Sequence, residues 1–153
     1  VPSVNSVAAL TSLRLLALTG DGRFQQRAEM TLRAFSSTLA ARPLALDQML
    51  LALDWATDAA REIVVVVPEG SGALATGARP FLDLLRRSLQ PNTVLVVATE
   101  ADLSGDLGRL VPSARGKRLR AGQATAYVCE RGSCRLPTSD PRAFATLLAE
   151  VRP

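Results

Sequence analysis

The run Glu62-Ile63-Val64-Val65-Val66-Val67 decides the fold. It is β-branched throughout after its first residue, too short for a helix and apolar on both faces, so it reads as a strand inside a parallel sheet covered on both sides. Pro80 then opens a helix carrying Phe81, Leu82, Leu84, Leu85 and Leu89, which Pro91-Asn92 stops, and Thr93 to Ala98 makes a second strand. Strand, helix and strand at this spacing form a βαβ unit, which demands a parallel pair and a right-handed crossover.

Toward the C-terminus, residues 100 to 122 are rich in Gly, Asp, Ser and Arg and read as an irregular connection with one helical turn at Leu103 to Leu110. Ala124 to Cys129 is a third strand. A last helix takes Ser139 or Asp140 as cap, Pro141 at its first position, and Phe144, Leu147, Leu148 and Val151 on one face.

Toward the N-terminus the period changes from two to that of helices. Asn5 or Ser6 can cap a first helix running to Leu18, which Gly20-Asp21-Gly22 ends, and its few polar residues imply cover over most of its circumference. A second helix, with Phe24, Ala28, Leu32, Phe35 and Leu39 at helical spacing and a wide wet face, runs toward Pro43 and belongs on the outside of a layer. A third, from Leu44 to Ala59, carries Leu46, Met49, Leu50, Leu53 and Trp55 and reads as mostly buried. Inner, outer, inner is the succession of layered helical hairpins. The chain therefore reads as α/β in two parts: helical hairpins over residues 1–60, then a small βαβ-containing parallel or mixed sheet with flanking helices over 61–153.

Composition narrows the chemistry. There is no histidine, so histidine-dependent triads are excluded within this chain. Net charge is +4, yet Lys117 is the sole lysine, and the one dense basic cluster, Arg115, Lys117, Arg118 and Arg120, has no aromatic within it on which a base could stack. A solvated loop is favoured there, and nucleic acid is not expected as a partner. Nor is a membrane, since the apolar runs fall far short of the roughly 20 residues a bilayer requires. The chain opens Val1-Pro2-Ser3 with neither a native start nor a signal peptide in view, so it reads as a fragment or processed chain.

Both cysteines lie in Thr125-Ala126-Tyr127-Val128-Cys129-Glu130-Arg131-Gly132-Ser133-Cys134. If Arg131-Gly132 forms a two-residue hairpin loop, Glu130 faces Ser133 as a hydrogen-bonded pair and Cys129 faces Cys134 as the next, non-hydrogen-bonded pair. That brings the two within disulfide range; reduced structural thiols and a small labile disulfide both fit. With two sulfurs and no histidine the ligand count argues against zinc, so no metal is expected, and no cofactor.

Two further groups invite chemistry. Pro68-Glu69-Gly70-Ser71-Gly72 follows the first strand, where α/β sheets often take a phosphate, but its glycine spacing departs from the dinucleotide fingerprint and it lacks the lysine of a P-loop, so a plain loop is favoured. Asp47, Asp54 and Asp58 share a helix stripe and could supply a carboxylate pair for work on a sugar, although such faces more often meet water or arginine.

In this order and spacing the pieces resemble the C-terminal part of thioredoxin-domain-containing proteins of the YyaL type, the group that includes the spermatogenesis-associated thioredoxin-like proteins. The resemblance rests on Pro2-Ser3-Val4-Asn5-Ser6-Val7-Ala8-Ala9, Leu13-Arg14-Leu15, Leu18-Thr19-Gly20, Ala52-Leu53-Asp54-Trp55, Arg61-Glu62-Ile63-Val64 and Pro91-Asn92. Above all it rests on Thr125 to Cys129 with Cys134 and Pro137. Family members resemble a thioredoxin-like domain followed by an (α/α) toroid similar to six-hairpin glycosidases and sugar epimerases. The resemblance implies that the first three helices are the last hairpins of that toroid, and that Asn5 and Ser6, with Asp54, line a pocket edge; Val4 stands where the family commonly has glycine. It implies either a structural or interaction module without a complete active site, or the closing part of a carbohydrate-processing toroid. Expected partners are the remainder of the parent polypeptide or a companion chain, with self-association where these are missing, and the expected location is cytoplasmic.

Overall fold

A computed structural model describes residues 3–70 and 72–149, and the chain divides into two compact units, Val1–Ala60 and Arg61–Pro153. Val151, expected on the face of the last helix, lies outside the described residues.

The first unit is helical. Helix α1 spans Val4–Thr19, and its cap is Ser3 rather than Asn5 or Ser6: Ser3 has extended backbone, and its Oγ accepts the Ser6 N–H at 3.1 Å. Gly20, in the left-handed region at φ 67°, closes the helix by donating its N–H to Leu16 O at 2.7 Å. Asp21 caps α2, Gly22–Ala34, by accepting the Arg23 N–H at 2.9 Å. The single second helix read from the periodicity is broken at Phe35, beyond which α3 spans Ser36–Ala41. At the break, Ser36 Oγ donates to Arg33 O at 2.8 Å and competes for a carbonyl of the helical ladder. Pro43–Leu46 is a 3₁₀ turn, so α4 occupies only Asp47–Thr57 of the expected third helix.

Helix α1 packs against both α2 and α4. Its buried stripe is Ser6, Ala9 and Leu13, and that of α4 is Met49, Ala52 and Trp55; the Arg14 guanidinium lies 5.6 Å from the Trp55 ring centroid. Within this chain α1 and α4 leave apolar side chains open. Val4 is 84% exposed, Val7 and Leu51 50%, and Leu53 is also exposed. Each helix has one buried stripe, and these apolar residues lie outside it.

The second unit is a four-stranded mixed sheet in the order β2-β1-β3-β4, where β1 is Arg61–Val67, β2 Thr93–Thr99, β3 Thr125–Glu130 and β4 Ser133–Cys134. Strand β1 lies parallel to β2, with Val64 opposite Val96, and antiparallel to β3, with Val64 opposite Tyr127. Its side chains alternate between two apolar layers. Ile63, Val65 and Val67 pack with Phe81 of α5 (Ala73–Arg87) and Phe144 of α8 (Pro141–Ala149), whose rings meet edge to face at 5.3 Å. Val64 and Val66 pack with Leu103 of α6 (Glu100–Ser104), Leu107 of α7 (Asp106–Leu110), Val111, and Ala114 of the 3₁₀ turn Pro112–Ala114. A continuous β-branched run follows from cover on both faces.

Two expectations fail locally. Pro80 does not open the crossover helix; α5 begins at Ala73, after Gly72 in the left-handed region at φ 77°, and Pro80 sits inside it. The proline forfeits the N–H that would reach the Thr76 carbonyl. The apolar face beginning at Ala78 and Phe81 still docks on the sheet, and that burial holds the helix through the lost bond. The connection 100–122 is also more ordered than its composition suggests. Thr99 and Asp102 form a capping box that starts α6, with Thr99 N–H donating to Asp102 Oδ2 at 2.9 Å and Asp102 N–H to Thr99 Oγ1 at 3.2 Å. Gly108 then brings α7 against α6 so closely that a Cβ on it would lie 1.8 Å from Leu103 O.

Arg61 ties the unit together. Nearly buried, it donates from Nε to Glu130 Oε1 at 2.6 Å, and from Nη1 to Gln90 Oε1 at 3.0 Å and Leu148 O at 3.1 Å. One guanidinium thus joins the start of β1, the end of β3, the turn before β2 and the end of α8. No described helix is long and apolar enough to cross a membrane.

Candidate thiol–disulfide site

The site grows out of the β3–β4 hairpin. Arg131 and Gly132 have φ of 49° and 75°, the two left-handed residues that a two-residue hairpin turn requires, and glycine takes the second at no steric cost. That turn fixes the register: Glu130 stands opposite Ser133, and Cys129 opposite Cys134 with alpha carbons 3.9 Å apart. The sulfurs lie at disulfide-bonding distance. The pairing continues past β4, with Arg135 N–H donating to Val128 O at 2.9 Å and a bridge between Ala126 and Thr138. The two sulfurs differ in access. Cys129 is 2% exposed, on the sheet face shared with Tyr127, whereas Cys134 is exposed.

The third member was not legible in the spacing. Lys117 arrives from the loop after the 3₁₀ turn and places Nζ 3.4 Å from Cys129 Sγ, 3.3 Å from Cys134 Sγ and 4.8 Å from the Tyr127 ring centroid. Tyr127 holds the loop in place: its hydroxyl donates to Arg118 O at 2.8 Å and accepts the Arg118 N–H at 3.1 Å. Glu62 stands opposite Cys129 on β1. Burial pushes the Lys117 ammonium below the ordinary lysine range, and the Glu62 carboxylate opposes that shift. On the hairpin's other side a cavity of about 270 Å³ is lined by Arg61, Glu130, Ser133, Cys134 and Arg135, among others. Chemically, the arrangement is a disulfide with one shielded and one open sulfur and a cation against both.

The remaining sequence candidates lie elsewhere. Asn5 is exposed in the first turn of α1, and Ser6 is buried with its Oγ 2.7 Å from Ser3 Oγ. Asp54 adjoins Trp55 in α4. The acidic groups at the C-terminal ends of β1 and β2 are engaged by backbone, Glu69 Oε1 accepting the Ala101 N–H at 3.3 Å and Glu100 Oε1 the Leu119 N–H at 2.7 Å. The basic cluster is likewise tied inward, with Arg120 Nη1 on Pro137 O at 3.1 Å and Arg115 Nε on Gly108 O at 3.3 Å. No group of three or more potential metal-ligating side chains is found among the described residues.

A small mixed α/β unit bearing a cysteine hairpin, preceded by a helical unit, is the class that this fold and site define. Over 147 residues, 96% of its length, the chain is 33% identical to human spermatogenesis-associated protein 20, and it is 32% and 31% identical to the proteins of that name from Rattus norvegicus and Mus musculus. These are homologues of the chain, and they belong to the group that its sequence resembles. The chain spans 18% of their length. No protein-family profile and no solved structure matches it.

Proposed function

We propose that this chain is the C-terminal segment of a thioredoxin-domain and toroid protein, in which it acts as a structural and interaction module without a complete active site of its own. The carrying observation is the uncovered apolar side of α1 and α4. Val4, Val7, Leu51 and Leu53 stand exposed on helices that each already pack one stripe within the unit, and monomeric proteins seldom leave large apolar patches in water. The occupant is the preceding helical hairpins of the same polypeptide, since the relatives carry more than four-fifths of their length outside the matched part. The reading keeps the cytoplasmic location expected from the sequence.

The alternative is a sugar pocket edged by Asn5, Ser6 and Asp54; loss of sugar binding by the parent protein on Asn5→Ala would support it, and binding unaffected by that change would count against it. The main test compares hydrogen exchange in α1 and α4 between this chain alone and the full parent. Strong added protection of both helices in the parent is expected, and self-association of the isolated chain by light scattering. A monodisperse monomer whose α1 and α4 amides exchange as they do in the parent would overturn the proposal. So would a Val7→Asp, Leu51→Asp parent that assembles normally.

A further inference from the structure

We infer that the β3–β4 hairpin is a thiol–disulfide exchange site for an external dithiol, in which Cys134 is the sulfur attacked, Cys129 the departing thiolate, and Lys117 the residue that holds that thiolate. The assignment of roles comes from access and charge. An attacking thiolate must approach one sulfur along the S–S axis, from the side away from the other. Cys134 is exposed and borders a cavity of about 270 Å³ that Arg61, Glu130 and Arg135 also line, whereas Cys129 is shielded within the sheet.

The step balances. A thiolate of the dithiol forms a bond to Cys134 Sγ, the Cys129–Cys134 bond breaks, and its electron pair leaves on Cys129 as a thiolate. The second thiol of the dithiol, once deprotonated, attacks its own mixed-disulfide sulfur and releases Cys134. The dithiol is oxidised by two electrons and the hairpin reduced by two, both reagent protons passing to solvent or to the released sulfurs. Breaking the bond creates charge on Cys129 beside Tyr127 and opposite Glu62, whose carboxylate disfavours it. Lys117 is the cation in place to offset this, 3.4 Å from that sulfur. It is the sole lysine in a chain whose other cations are all arginine. A compact ammonium can sit between two sulfurs and over the Tyr127 ring, where a planar fork would splay. Lys117 is thus a positioning residue for the leaving group.

The experiment uses the whole chain, equilibrated in glutathione redox buffers, with thiols trapped by alkylation and located by mass spectrometry. Lys117→Met keeps the stem and removes the charge; Lys117→Arg restores charge. Lys117→Met is expected to lower the equilibrium constant for reduction about tenfold, equivalent to roughly 30 mV, and to slow reduction by dithiothreitol several-fold. Lys117→Arg should recover part of both. The trapped glutathione adduct should sit on Cys134. In reduced wild type, thiolate absorbance near 240 nm should be present at neutral pH and disappear in Cys129→Ser but not in Cys134→Ser; this reading stands even if Lys117→Met fails to fold. An adduct confined to Cys129, an unchanged midpoint and rate in a folded Lys117→Met, or no disulfide under oxidised glutathione would each overturn the assignment.

Discussion

Replacing Arg61 by alanine should cost about 3 kcal/mol, far more than its place at the start of a strand suggests. The guanidinium side chain is 4% exposed and its Glu130 partner 24%, at 2.6 Å. Removing it takes from the half-buried Glu130 carboxylate the cation at 2.6 Å, takes a donor from Gln90 and from the Leu148 carbonyl, and opens space at the junction of β1, β3 and α8. Breaking a buried pair from one side costs roughly 3–5 kcal/mol. The low end applies because Glu130 borders a cavity of about 270 Å³ through which water can reach it. Urea unfolding followed by far-UV circular dichroism reads the change as a lower midpoint at constant m-value. In heat the loss appears as a melting temperature roughly 6–12 °C lower, for a chain of this size. A double-mutant cycle with Glu130→Gln should give a coupling above about 1 kcal/mol. A cost for Arg61→Ala below about 1 kcal/mol, the range of an exposed ion pair, or a coupling near zero would refute the view that this arginine clamps the unit.

Two other changes test the layer over the opposite sheet face. Gly108→Ala should destabilise by roughly 3 kcal/mol or more, because its Cβ would lie 1.8 Å from a backbone carbonyl that cannot move without separating α7 from α6; a folded variant of near wild-type stability in urea would contradict that packing. Asp102→Ala should cost about 1 kcal/mol at neutral pH through loss of the capping box. The backbone and side-chain hydrogen bonds from Thr99 hold the Asp102 carboxyl below the ordinary carboxylate range, so the folded state binds its proton less readily than the unfolded chain does. The stability it supplies is therefore complete above the unfolded pKa and fades as pH falls through the folded one. The gap between variant and wild type should close in acid, and a gap independent of pH would count against the assignment.

How much of this was readable depended on whether the deciding contact was local. The β-branched run at Ile63–Val67 declares its two-sided burial in its own composition, and Gly20 and Asp21 mark a helix junction within a few residues. Arg131-Gly132 dictates the facing cysteines because a two-residue turn leaves one register. Pro80 misled because its local preference for a first turn was outweighed by burial of Phe81, a tertiary effect. Ser3 was passed over in favour of Asn5 and Ser6, although a cap two residues earlier satisfies the Ser6 N–H itself. Lys117 could not be assigned at all: it lies 12 and 17 residues from the two sulfurs, and within the sequence it is only one cation in an arginine cluster. Its singularity as a lysine was the one available signal.

The central place of β1 carries a consequence for the chain's synthesis. Arg61 and Glu130, paired at the end of the β1–β3 ladder, are 69 residues apart in sequence. At roughly 5–20 residues per second a ribosome takes about 3–14 s to deliver the second strand after the first. Until β3 arrives, β1 has at most β2 on one side and a bare row of valine amides and carbonyls on the other, the kind of edge that pairs with whatever strand is near. The most buried strand of the finished unit is thus, while the chain is being made, the one in most need of shelter.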